Sequence, residues 1–252
     1  MILTLAFLLA LLPQDDAAAK AALETYKAST AKSKDPKVHA DAVAELAKTP
    51  HESVAAKLGS LLSTDDREVR IAAATALSSF NKPPELKLSA SKLLIQALTA
   101  GSNAREIEVR VAILGAIGAL QEESTANALK SHFDDKDPKI ACAALAAAGA
   151  LHSKSLVEPL IQVVRDSERI LNGGAVPPPP PPPPPGKGKT TGKAPPPPPP
   201  PQKDTDKEKK DRANMVNGAA ESALAALTQQ NFRTGDEWEK WWSKNRSTFA
   251  PK

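Results

Sequence analysis

A twelve-residue pattern returns along this chain and leaves little choice of architecture. In its clearest form, Asp66–Leu77, it reads Asp-x-x-Val-Arg-x-x-Ala-x-x-Ala-Leu, with Asp66, Val69, Arg70, Ala73, Ala76 and Leu77 at the fixed positions. The apolar members fall at steps of four, three and one, the spacing that lines up one face of a helix. Alanine dominates that face, so a neighbouring helix can approach closely. One helix pair of this kind cannot bury its Ala/Leu face alone; stacked pairs share a continuous core.

Five variants occur. The first has Asp35, Val38, His39, Ala42 and Leu46, and the second is the reference stretch. The third has Glu106, Val109, Arg110, Ile113, Ala116 and Ile117. The fourth has Asp137, Ile140, Ala144 and Ala147, with Ala141 in the arginine position. The fifth has Val216, Asn217, Ala220, Ala223 and Leu224, with Ala213 where the acid should stand. The anchors Val38, Val69, Val109 and Ile140 are spaced by 31, 40 and 31 residues. After a break, each of the first four units carries a second apolar run: 54–62, 86–98, 126–133 and 156–164. Each unit is thus a helix pair, and the fold class is all-α, a short α-solenoid of about five pairs. The 40-residue unit takes its extra length from Asn81-Lys82-Pro83-Pro84 and from 100–104, both turn-like. Asp16–Lys32 reads as a lead helix with Asp15 or Asp16 as cap.

Composition agrees with helix: 41% apolar, 4% aromatic and a single tyrosine. One cysteine, Cys142, rules out an internal disulfide and a cysteine-based zinc cage. It lies in an alanine-rich helix, where a small buried thiol is expected. The net charge of +4 is concentrated in 173–212, which holds eight Lys/Arg against four Asp/Glu. The rest balances at 25 of each, which counts against a nucleic-acid groove.

At the N-terminus, MILTLAFLLALL is too short to span a bilayer, which takes about 20 residues. It reads as the apolar region of a signal peptide, 1–19, although no Lys or Arg precedes it. Small residues at Ala17–Ala19 offer a cleavage site, and a cut near Gln14 is an alternative, as is a buried first helix. The expectation is an exported protein, periplasmic or secreted, with no stable membrane span after cleavage.

The Asp-x-x-Val-Arg-x-x-Ala-x-x-Ala-Leu pattern, followed by second helices such as SLVEPLIQVVRD at 155–166, resembles HEAT repeats of the bacterial PBS-lyase-like type. The resemblance covers about 35–170 and 213–230. It implies a scaffold for protein contacts, not an enzyme, with first helices on the convex side and second helices on the concave side. It also implies structural roles for the acid and arginine positions, Asp66, Arg70, Glu106, Arg110 and Asp137. Asp66 and Arg70, four apart, suit an ion pair, and Asp66 suits a helix cap. Arg70 and Arg110 are expected to bridge to adjacent repeats, while His39 and Ala141 interrupt any arginine ladder. Polar positions on the second helices, Lys57, Lys92, Gln96, Lys130 and Gln162, are the protein-binding candidates. Some members of this family are enzymes, among them bilin lyases, and an enzyme or enzyme subunit of that kind is the alternative.

Between repeats four and five lies an excursion, 173–212, with nine prolines at 177–185 and seven at 195–201. Proline tracts adopt the polyproline II form and can dock SH3- or WW-like modules. A second alternative follows from them: a cell-envelope spacer in which the proline rod carries the solenoid. GKGKTTGK at 186–193 fails the phosphate-loop spacing in every register. The charged stretch QKDTDKEKKDR reads as a solvated run closing a disordered insertion.

All three tryptophans, Trp238, Trp241 and Trp242, share one helical face near the C-terminus. They are expected to cap the open end of the last repeat, with Thr234 or Asp236 starting their helix. Phe232 and the Thr-Gly pair before them resemble the terminal motif of exported HEAT proteins in planctomycete-like bacteria. The resulting division is 1–19 leader, 20–172 solenoid, 173–212 insertion and 213–252 last repeat helix plus cap.

No His-Glu-x-x-His motif, Gly-x-Ser-x-Gly elbow or paired histidine spacing is present. His51 and His152 read as starts of second helices. The acid pairs Glu122-Glu123 and Asp134-Asp135 read as solvated caps. No catalytic residue, metal or cofactor is expected.

Overall fold

The computed structural model describes residues 12–173 and 203–250. Among them there are eleven α-helices, three short 3-10 turns and no strand. Helix α1 is Leu12–Thr30, and four pairs follow it: α2 (Pro36–Leu46) with α3 (Glu52–Leu61), α4 (Arg67–Leu77) with α5 (Pro84–Thr99), α6 (Ile107–Leu120) with α7 (Ala126–Lys130), and α8 (Pro138–Leu151) with α9 (Val157–Leu171). The last pair is α10 (Lys203–Thr228) with α11 (Gly235–Asn245).

One starting device serves three first helices. Asp35, Asp66 and Asp137 sit in extended backbone, and each accepts a hydrogen bond from the amide two residues on: Lys37 at 3.0 Å, Glu68 at 2.8 Å and Lys139 at 2.8 Å. Such a cap satisfies an otherwise orphaned helix amide and is worth about 1 kcal/mol. Pro36 and Pro138 follow two of the caps, at the position where a missing amide costs nothing. Two first helices also end alike, 31 residues apart: Gln121 and His152 close α6 and α8 in the left-handed conformation, with φ 51° and 54°. His152 therefore ends a first helix and does not begin a second one; Ser153, one residue on, caps the 3-10 turn leading into α9.

The helices form two layers. In one, α2, α4, α6, α8 and α10 pack on their neighbours in order. In the other, α3 packs on α5 and α9 on α11, while each second helix also meets the first-layer helix that follows it. The second layer is thinnest at α7, where the apolar run 126–133 yields only five residues of α-helix. The core runs unbroken between the layers from Val43 through Leu58, Leu77, Leu94, Ile113, Leu145, Leu160 and Leu224 to Trp238.

Small residues set how closely the first layer packs. A Cβ added at Gly118 would stand 2.8 Å from the Cα of Ala147, and one at Gly149 would stand 2.9 Å from the Cα of Ala223. Backbone cannot rotate aside, so Gly149→Ala is expected to push α8 from α10 and cost about 1–3 kcal/mol. Gly115, three residues before Gly118, faces open space, and Gly115→Ala should stabilise the helix by up to about 1 kcal/mol. Thermal melts of the two variants should therefore move in opposite directions. Equal shifts would mean that the crossing is looser than described.

Two expected boundaries change. The lead helix begins at Leu12, not at Asp16, because Pro13 fits a first turn. Asp16 is not its cap and instead pairs with His51 Nε2 at 3.0 Å. Leader residues 1–11 lie outside the described residues, and both expected cleavage positions fall within α1. Helix α10 begins at Lys203, so the last ten residues of the expected disordered excursion are helical. Their acids and bases stand four apart, as in Asp206 with Lys210 and Glu208 with Arg212, which supports a helix already held by its packed half. The proline tracts and the Gly/Lys stretch between them lie outside the described residues.

Candidate functional site

The five polar candidates sit on four successive second-layer helices. Lys57 on α3 is half-buried, its ammonium 5.2 Å from the centre of the Tyr26 ring. Lys92 and Gln96 on α5 are exposed. Gln96 lines a groove of about 330 Å³ between α3 and α5, with Gly59 and Leu93. Lys130 is half-buried on the short α7. Gln162 on α9 is exposed, donates to Asp166 Oδ2 at 3.0 Å, and lines a separate groove against α11. The five are thus strung along one layer and are not gathered at one point.

The acid and arginine positions tie the units together. Arg70 is buried, and its Nη1 donates to Ser102 O at 2.9 Å and to Asn103 Oδ1 at 2.8 Å. Its Nη2 lies 3.7 Å from Glu106, which precedes α6 and makes no cap hydrogen bond of its own. The Asp66–Arg70 pair that their spacing suits does not form, because Asp66 is occupied by the Glu68 and Val69 amides while Arg70 reaches toward the next unit. Arg110 Nη2 lies 2.7 Å from Asp135 Oδ2 and 3.2 Å from His132 Nδ1. Arg212 Nη2 donates to the carbonyl of the same Asp135 at 2.6 Å, which anchors α10 directly after its charged overhang.

Neither acid pair is merely a solvated cap. Glu122 receives Lys87 Nζ at 3.5 Å, Glu123 accepts from Ser153, and Asp135 serves the arginines above. Sequence reading missed Asn103 and His132 as partners. Both lie in turns, and nothing in their immediate neighbours announces that an arginine arrives from more than twenty residues away.

Burial, and then the adjacent Arg110, lower the pKa of His132; Asp135 only partly offsets them. Burial alone would raise Asp135, but the Asp137 amide and Arg110 outweigh it and hold its carboxyl below the ordinary value. A histidine whose folded pKa lies below its unfolded value of 6.5 contributes stability above pH 6.5 and loses it as pH falls toward the folded pKa. The Asp135 contribution persists through that interval and is lost only below about 3.8, the ordinary aspartate value. Stability should accordingly decline from pH 6.5 toward pH 4, and His132→Asn should flatten this part of the curve. An unchanged slope in the variant would remove His132 as the source.

Cys142 is half-buried, not enclosed as expected: it lies at the α8–α10 seam, with Sγ 3.6 Å from Met215 O. Burial pushes its thiol pKa up, and Arg212 only partly opposes this. At the far end Trp238 is fully buried, Trp242 is buried and Trp241 is half-buried. Phe232 meets Trp238 edge-on at 4.9 Å, and Phe249 meets Trp241 and Trp242 at 5.6 and 5.7 Å. Thr234 starts α11 with a reciprocal cap: its hydroxyl accepts from Glu237 N, and Glu237 accepts from Thr234 N. The Gly235 amide donates to Glu168 Oε1 at 3.0 Å, and Arg165 pairs with Glu239 at 2.8 Å, joining α11 to α9.

Among the described residues no three His, Cys, Asp or Glu side chains are placed to hold a metal, and no helix is long and apolar enough to cross a membrane. Residues 23–104, which include the first two helix pairs, match the family model for HEAT repeats. No curated protein matches the chain.

Proposed function

We propose that this chain, a HEAT-repeat protein by the match over 23–104 and by the same two-layer packing in the pairs beyond it, is a non-catalytic scaffold that grips a partner protein along its second layer. HEAT repeats generally mediate protein–protein interaction and scaffolding. One observation supports this face: Lys92 and Gln96 on α5 and Gln162 on α9 stay exposed, with Gln96 beside a groove lined by Gly59, Leu93 and Ala97. An extended partner can meet such a face repeat by repeat. The bilin-lyase-like alternative loses its best residue, since the raised pKa of Cys142 disfavours the nucleophilic thiolate. We propose export on the strength of the apolar leader. N-terminal sequencing of the mature protein from fractionated cells tests it, and an intact Met1 in the cytoplasmic fraction would refute it.

Site-specific photocrosslinking tests the binding face. A photoreactive residue at Gln96 or Gln162 should give one discrete crosslinked product in the native host, and Lys92→Glu should weaken the product at Gln96. The same probe at Ala146, on the exposed side of α8, should give none. Equal labelling from both layers, or no product from either, would refute the assignment.

A further inference from the structure

Among the described residues the array starts with half a unit. Helix α1 ends at Thr30 and Asp35 caps the next helix, just as α3 ends at Leu61 and Asp66 caps the next. It packs on α2 and, more lightly, on α3, so it stands where the second helix of a preceding unit would stand. The first helix of that unit has no counterpart among the described residues. Comparison with the later units shows what this uncovers on α2. Val38 is 38% exposed, whereas its counterparts Val69, Val109, Ile140 and Val216 are 2%, 0%, 1% and 3% exposed. The counterparts of Glu45 are Ala76, Ala116, Ala147 and Ala223, all buried. Two of them lie against the preceding first helix, Ala147 on Gly118 and Ala223 on Gly149. In the first unit that same face carries Val38, Asp41 and Glu45, and no first helix covers it. The face borders a groove of about 510 Å³ between α1 and α2, lined also by Ala22, Tyr26 and Ala42.

We infer that this face docks a helix of a partner protein, one whose Ala/Leu stripe is flanked by lysine or arginine. The face is the seat of the missing first helix, and everywhere else in the first layer the corresponding seat holds a helix. The flanking charge follows from the lining, whose charged residues are Asp41 and Glu45, both acidic. Asp41 makes no ion pair among the described residues, and the pair of Glu45 with Lys48 is exposed on both sides and contributes little. A wholly apolar helix would take water from these carboxylates and leave them without a partner, whereas a base at each replaces the lost hydration. Terminal units of solenoids ordinarily turn a polar face to water, but here the acids frame an exposed valine and a groove. A second copy of this chain docking by the same face would set acid against acid, so the occupant is a different protein. The site belongs to the first layer at the opposite end from α11 and does not rest on the second-layer reading.

Tyr26 is the single tyrosine and lines the groove, so 3-fluorotyrosine labelling of the full chain gives one fluorine signal there. An acetylated, amidated peptide of four Ala-Leu-Lys-Ala repeats sets lysines beside a leucine stripe on one helix. It should shift that signal along a saturating curve. The corresponding Ala-Leu-Gln-Ala peptide should bind about tenfold or more weakly, and added salt should weaken only the lysine peptide. The Asp41→Lys/Glu45→Lys variant should lose the lysine peptide and gain the Ala-Leu-Glu-Ala one. Both positions are exposed, and a melt verifies that the variant folds. Equal responses to the lysine and glutamine peptides, no response at millimolar peptide, or an unchanged preference in the swapped variant overturns the site. The Gln96 crosslink reads the other layer, so either result of the titration leaves it standing.

Discussion

Replacing Trp238 by alanine is expected to cost about 3–5 kcal/mol, and the loss should appear first at the C-terminal end of the array. Trp238 is the largest fully buried side chain of the protein. It fills the space between α11 and α9 and meets Phe232 edge-on. Removing it leaves a cavity that neither the Thr234 cap nor the Arg165–Glu239 pair can close. In a linear array each unit leans only on its neighbours, so damage to the last unit need not unfold the first. All tryptophans lie on α11, so their fluorescence reports the cap while far-ultraviolet circular dichroism reports the whole chain. In urea the variant should lose its fluorescence signal well before its helicity. Trp238→Phe should be far milder: it keeps most of the packing and removes an indole N–H that has no acceptor among the described residues. Trp241→Ala should also cost less, since that ring is only half-buried. Coincident transitions in Trp238→Ala, displaced by less than about 1 kcal/mol, would show that the cap does not hold the end as described.

What was legible from the sequence follows from what a sequence pattern records. Steps of three and four residues along one chain are local, so Val69, Ala73, Ala76 and Leu77 announced a buried helix face. The Asp66 cap was legible for the same reason, because donor and acceptor lie within three residues. Events between helices leave no such trace. Gly115 and Gly118 look alike in sequence, yet one faces open space and the other lies against the Ala147 backbone. The start of α10 was misread because charged residues suit either a solvated coil or a helix extended from a packed segment. The Trp cap was visible as a face, but the groove it forms with α9 exists only through the packing of two distant helices. The five second-layer candidates could be chosen as polar positions on one layer, whereas the hold of Tyr26 on Lys57 comes from α1, a helix outside the repeat pattern.

The second large effect is expected at Asn103, where replacement by alanine should cost about 3–4 kcal/mol. Its side chain is wholly buried. The amide nitrogen donates to Leu62 O at 3.0 Å and Ala97 O at 2.9 Å, and the oxygen accepts from Arg70 at 2.8 Å. Alanine would strand the Leu62 carbonyl and part of a buried guanidinium, each at about 1–3 kcal/mol if water cannot reach it, while the Ala97 carbonyl keeps only the Ala100 amide. Asn103→Asp discriminates between the two halves of this arrangement. It keeps an acceptor for Arg70 but turns the donor side toward Leu62 and Ala97 into lone pairs, so it should remain clearly destabilising. Arg70→Ala should also be costly, and the double variant should cost less than the sum by about 1–3 kcal/mol, because each single change strands the other residue's group. Additivity within about 0.5 kcal/mol would mean that the two act independently. Leu62 closes α3, Arg70 belongs to α4, Ala97 to α5, and Arg70 also faces Glu106 at the start of α6. One asparagine thus clamps four helices from within 100–104, one of the two turns that lengthen the second unit. The added residues are not slack: they carry into the core the one side chain that both arginine and carbonyl groups require there.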